Sequence, residues 1–104
     1  AMEMALTGEP ILAEAAMEAG LLTELTEVGG ALDAAVALAE RIAENAPLAV
    51  AASKKLVRAA ASGIDEASLW KMQIPLQQKV FASNDAKEGP QAFAEKRAPN
   101  WTGS

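Results

Sequence analysis

Apolar residues recur along most of this chain at intervals of three and four, the spacing that lines one face of an α-helix. Residues 1–7 read as the end of a helix stopped by Gly8, with Pro10 two residues on. Leu12–Glu18 reads as a second, short helix with Gly20 just past its end. Leu21–Glu27 alternates apolar and polar residues and is the single strand-like run. A lone strand leaves its backbone groups unpaired, so this run is expected as an orphan strand, cut off from a sheet or lying extended and exposed. Gly29-Gly30 reads as a turn into a helix over 31–45. There Leu32, Ala35, Val36, Ala39, Ile42 and Ala43 share one face, and Asp33, Glu40, Arg41 and Glu44 the other.

Pro47 suits the first turn of a further helix. Its expected inward positions are Ala49, Val50, Ser53, Leu56, Val57 and Ala60, with Lys54, Lys55 and Arg58 on a solvated face and Ala61-Ser62-Gly63 at its end. The break at Ala46 predicts a helical hairpin. Asp65 is placed as the N-cap of a helix over 66–82 that carries two apolar stripes, Leu69/Met72/Leu76/Val80 and Trp70/Ile74/Phe81. Two stripes predict deep burial or a position between two bodies, and Pro75 predicts a kink or break midway. After it comes the tail, 84–101. Asp85 and Glu88 have the spacing of a capping box, Gly89-Pro90 reads as a break, and Phe93 as a packed ring one turn before Lys96 and Arg97.

Composition narrows this to one small, mainly α-helical domain with a thin core. The chain has 104 residues, 51% of them hydrophobic but only 4% aromatic, with alanine the commonest. Alanine favours helix and buries little area per residue. The formal charge of −5 argues against nucleic acid as a partner. That charge is uneven: residues 1–70 are net acidic and 71–104 net basic, so an anionic ligand is expected at the C-terminal end. With no cysteine there are no disulfides, in keeping with a reducing, cytoplasmic setting. With no histidine the commonest general base and metal ligand are missing, and no metal site is expected. No apolar run reaches 18 residues, so no membrane span is expected, and an amphipathic membrane-surface segment is disfavoured by the Ala-rich faces and acidic charge. Position 1 is Ala rather than Met, which points to a trimmed or truncated product.

The tail's acidic-basic-Glu-Gly run followed by Ala92-Phe93-Ala94-Glu95-Lys96-Arg97 resembles the C-terminus of the crotonase superfamily, the enoyl-CoA hydratases and isomerases. The likeness continues in register upstream. Ala1-Met-Glu-Met-Ala-Leu-Thr-Gly-Glu-Pro-Ile11 resembles the segment after that family's catalytic helix, and Ala13-Glu-Ala-Ala-Met-Glu-Ala-Gly-Leu-Leu22 its successor. Ala31-Leu-Asp-Ala-Ala35 and Ala46-Pro-Leu-Ala-Val-Ala-Ala-Ser-Lys54 resemble its next two helices.

The resemblance implies the C-terminal helical part of a crotonase (ClpP/crotonase-like) fold. Residues 1–30 would end the spiral core and 31–104 form the trimerisation region. It implies a parent enzyme acting on acyl-CoA thioesters, by hydration of a 2-enoyl-CoA in fatty-acid oxidation or a related enolate reaction. No prosthetic group is implied; coenzyme A comes as part of the substrate, and the intact protein is expected as a trimer or hexamer. The family's oxyanion hole and acid–base glutamates lie upstream of Ala1, so no catalytic residue is assigned, and the 104 residues are expected to be inactive alone. Glu3, Glu9, Glu14 and Glu18 read as solvated helix-surface carboxylates. Phe93 and Lys96 match the family's tail residues that reach a coenzyme A bound in the neighbouring subunit, the Lys to phosphate and the ring near adenine. Read from the residues alone, they are a core anchor and a surface cation. Gln77 stands where relatives line the same crossing with an apolar or aromatic residue, and Leu12 where they have a Ser or Thr N-cap. The alternative is a non-catalytic helical module that associates through Trp70, Ile74 and Phe81.

Overall fold

A computed structural model describes residues 2–104. Ala1, the first residue of the expected opening helix, lies outside the described residues. Six helices follow in order: α1 (Met2–Thr7), α2 (Ala13–Glu18), α3 (Ala31–Ala43), α4 (Pro47–Ala61), α5 (Glu66–Phe81) and α6 (Asp85–Glu95). The chain divides into two compact units, Ala1–Ala39 and Glu40–Ser104.

In the first unit the helix stops follow from glycine. Gly8 (φ 68°) ends α1, and Gly20 (φ 71°) ends α2, where the N–H of Gly20 reaches the Met17 carbonyl and that of Leu21 the Ala16 carbonyl. This paired closure needs a left-handed residue, and glycine adopts it without a Cβ clash. Leu12 leaves the start of α2 without a side-chain cap. Among the described residues of this unit, Ala16 alone is buried. The expected strand over 21–27 does not form; among the described residues there are no strands. The physical reason is the one that made it suspect: no second extended segment is at hand to pair its backbone groups. The apolar face of α3 is exposed, Leu32 at 72%.

The second unit is a packed pair of helices with a third across one end. Pro47 stands in the first turn of α4, and the Asp65 side chain caps α5, Oδ1 accepting from the Ser68 N–H at 2.9 Å. Within this unit α4 packs against α5. On α4, Ala49, Val50 and Leu56 are half-buried as expected, together with Leu48, Ala52 and Ala59, while Ser53, Val57 and Ala60, also expected inward, are exposed. Lys54, Lys55 and Arg58 are exposed as expected. On α5 the Leu69/Met72/Leu76/Val80 stripe is half-buried, but Trp70, Ile74 and Phe81 remain 56%, 53% and 70% exposed. The helix runs through Pro75 unbroken.

Candidate functional site

The tail folds back on itself, and α6 is the element that organises it. Its start differs from the capping box expected of Asp85 and Glu88. Asn84 already has helical dihedrals (φ −65°, ψ −35°) and makes no side-chain cap. The cap comes one residue earlier, from Ser83, whose Oγ accepts from the Ala86 N–H at 3.1 Å. Gly89 and Pro90 do not break the chain either; both lie inside α6. The ring of Trp101 lies over Gly89, its Cη2 3.4 Å from where a Cβ would stand.

Released from capping, the two carboxylates collect donors from beyond the helix. Asp85, 3% exposed, accepts from the Thr102 N–H at 2.8 Å and the Thr102 hydroxyl at 3.1 Å through Oδ1, and from the Gly103 N–H at 3.0 Å through Oδ2. The Thr102 amide, foremost, and the Gly103 amide hold its carboxyl below the usual carboxylate range, against the opposing effect of desolvation. Glu88 accepts a forked pair from Arg97, with Nη2–Oε2 at 3.0 Å, and the Asn100 N–H at 2.7 Å. The Arg97 guanidinium, followed by that amide, pulls its pKa down to about 2. Arg97 Nε also donates to Glu95 at 2.6 Å, which with the Gln91 amide lowers the Glu95 pKa. Both carboxylates in turn raise the guanidinium's own pKa, so Arg97 is a fixed anchor.

Beyond these ties, the Asn84 N–H donates to the Ser104 carbonyl at 2.6 Å, and Trp101 Nε1 to the Glu44 carbonyl, just past α3, at 2.8 Å. Trp101 therefore docks with a specific partner.

The site residues expected from sequence fall in two places. Phe93 and Lys96 stand together at the end of α6. Phe93 is 87% exposed, which overturns its reading as a packed core ring: the inward position of that turn is taken by Ala92 at 1%. Lys96 closes the helix in the left-handed region (φ 54°, ψ 40°), alone in this among the described non-glycine residues. Its N–H meets the Phe93 carbonyl and the Arg97 N–H the Ala92 carbonyl, the same closure that Gly20 makes for α2. A side chain in that conformation costs about 1–2 kcal/mol. Of the two adjacent cations, Arg97 is ion-paired, and Lys96 forms no salt bridge among the described residues. Gln77 lies elsewhere, in a shallow groove of about 320 Å³ between α4 and α5, beside Leu56, Leu76 and Phe81.

Asp85 and Glu88 were legible as a pair, but their partners at 97–103 were not. Glu3, Glu9, Glu14 and Glu18 are exposed. Among the described residues no group of three or more acidic side chains is arranged to hold a metal, and no helix is long and apolar enough to cross a membrane.

Comparison with known proteins gives one consistent result. The family model described as enoyl-CoA hydratase/isomerase matches residues 1–104. The enoyl-CoA hydratase EchA19 of Mycobacterium tuberculosis is 45% identical over 101 residues, 97% of this chain and 38% of that protein. A carnitinyl-CoA dehydratase of Proteus mirabilis is 39% identical over 104 residues, 97% of this chain and 40% of that protein. Among solved structures, an enoyl-CoA hydratase from M. tuberculosis superposes with a TM-score of 0.91 at 50% identity, over 99% of this chain and 40% of that one. One from Bacillus anthracis superposes with a TM-score of 0.89 at 33% identity, over 98% and 39%. The chain thus spans about two fifths of the length of the relatives it matches.

Proposed function

The chain belongs to the enoyl-CoA hydratase/isomerase family, and from that membership we propose that it forms the C-terminal helical wall of an enzyme acting on acyl-CoA thioesters. Its fold is the helical part of a crotonase fold. Hydration of a 2-enoyl-CoA in fatty-acid metabolism is the reaction we favour. The chain's relatives include an enoyl-CoA hydratase and a carnitinyl-CoA dehydratase, which supports chemistry that adds or removes water on a CoA thioester. No prosthetic group is required, and the working setting is cytoplasmic.

The observation that carries this reading is at the end of α6. There an exposed aromatic ring and a cation that forms no salt bridge among the described residues stand one turn apart, and the neighbouring Arg97 is already committed to Glu88 and Glu95. A ring and an ammonium so spaced suit a nucleotide, the ring for the base and Lys96 for a phosphate. Gln77, in its own groove, is proposed as a more distant wall of the same crossing. The 104 residues alone hold one wall and no acid–base pair of their own, so they are expected to bind coenzyme A weakly and to turn nothing over. Titration of the chain with coenzyme A tests this. Saturable shifts at Phe93 and Lys96, abolished by Lys96→Glu, support the reading. Shifts indifferent to that change, or hydration of crotonyl-CoA by the purified chain, sink it.

A second reading has its own observation, the uncovered Trp70/Ile74/Phe81 stripe on α5. Aromatic and aliphatic side chains exposed in a row mark an association surface. We propose that this stripe contributes to a trimer or hexamer of the intact protein. Light scattering tests it: Ile74→Asp should lower the measured mass without loss of helix.

A further inference from the structure

We infer that Asp85 and Glu88 are positioning residues for the Phe93–Lys96 pair, acting through the returning segment 97–104 and not by touching a ligand. The inference rests on the coenzyme A reading of that pair. Its starting point is that α6 has little reason to be a helix. Gly89 and Pro90 are both poor helix formers, only Asp85 and Ala92 are buried, and the last turn closes on a strained lysine.

The compensating contacts come from two carboxylates three residues apart, which share one face of the helix. Glu88 draws Arg97 back over nine residues, and Asp85 holds Thr102 and Gly103. For Arg97 to reach Glu88, the chain must reverse immediately after α6, and Lys96 is the residue at which it reverses. Its left-handed backbone is therefore set by the clasp. The same reversal uses up Arg97 as the anchor, leaves its neighbour Lys96 without a salt bridge among the described residues and keeps Phe93 exposed beside buried Ala92. Asp85 and Glu88 thus decide which of the two adjacent cations, Lys96 or Arg97, is left to face a ligand.

The test uses the isotope-labelled 104-residue chain with three readouts: amide exchange at Thr102 and Gly103, the HN–Hα coupling at Lys96, which reports φ, and affinity for coenzyme A. In Asp85→Asn an amide donor opposes an amide donor, so exchange at Thr102 and Gly103 should rise roughly tenfold or more. The Lys96 coupling should move toward helical or averaged values, and coenzyme A should bind more weakly. Adding Lys96→Ala should then weaken binding no further, because both changes remove the same interaction. Thr102→Val, which deletes one donor and leaves the buried carboxylate intact, should act in the same direction but more mildly, and serves if Asp85→Asn does not fold. Losses that simply add would overturn the inference, as would a Lys96 coupling and an affinity that ignore both Asp85→Asn and Thr102→Val. If Lys96→Ala alone binds like the parent chain, the coenzyme A reading fails and takes the inference with it. That case is recognisable because the exchange data still report the clasp.

Discussion

Arg97 grips Glu88 through both carboxylate oxygens, across nine residues of sequence and one helix terminus. This fork makes the tail a closed structure instead of a fraying end. It also separates two neighbouring cations by function, since Arg97 is held and Lys96 forms no salt bridge among the described residues.

The clasp should be lost in acid. The pKa of Glu88 is lowered from 4.5 to about 2 in the folded chain, and that of Asp85 is also lowered. A carboxylate whose pKa falls on folding contributes stability that is complete above its unfolded pKa and lost as pH falls through the folded one. The contribution of Glu88 is therefore expected to be constant at neutral pH, to decline below about pH 4.5 and to be gone near pH 2. Two-dimensional NMR of the Thr102 and Asn100 amides from pH 7 to 2 checks this. Glu88→Gln should flatten the Asn100 profile and leave that of Thr102, which reports Asp85.

Gly89 leaves room beneath the Trp101 ring for a methyl group but for nothing much larger. A Cβ there would stand 3.4 Å from the Trp101 ring, an ordinary contact. Gly89→Ala should therefore be tolerated, with a gain of up to about 1 kcal/mol from helix propensity. Gly89→Leu should displace the ring, and loss of the Trp101 indole N–H resonance position would report it. If Gly89→Leu leaves that resonance unmoved, the packing assignment is wrong.

Trp101→Phe keeps most of the apolar contact but leaves the Glu44 carbonyl without its donor. The expected cost is about 1 kcal/mol in chemical denaturation, the net value of one hydrogen bond. A cost below the error of the measurement would mean that the ring alone secures the tail.

Lys96→Gly separates charge from backbone. Glycine takes the left-handed conformation without strain, so stability should hold or rise by up to about 1 kcal/mol. Coenzyme A affinity should fall as it does for Lys96→Ala. Unaltered affinity in the glycine variant would remove Lys96 from the proposed site.

Much of the helix map could be read locally. Asp65 and Pro47 at helix starts, and Gly8 and Gly20 at helix stops, act through backbone groups within four residues of themselves, so sequence alone locates them. The family could also be read, because its motifs are short and fall in order along the whole chain. What differed was partly long-range and partly local: Gly89-Pro90, expected as a break, lies within α6, and α5 continues through Pro75. A strand at 21–27 depends on a partner segment, and whether Trp70, Ile74 and Phe81 are covered depends on what packs against α5.

The tail shows the same division at residue level. Sequence determined that Asp85 and Glu88 share a helix face, since a three-residue spacing on a helix does so whatever surrounds it. It could not determine whether that face caps its own helix or holds another segment, because both uses have the same spacing. Tertiary structure decided this: Ser83 took the cap, and donors from residues 97 to 103 arrived from the returning chain. It likewise turned Phe93 outward, against its apolar character, because the small Ala92 fills the inner position. Local backbone chemistry wrote the helices; long-range donors and the limited room beneath α6 assigned the side chains their roles.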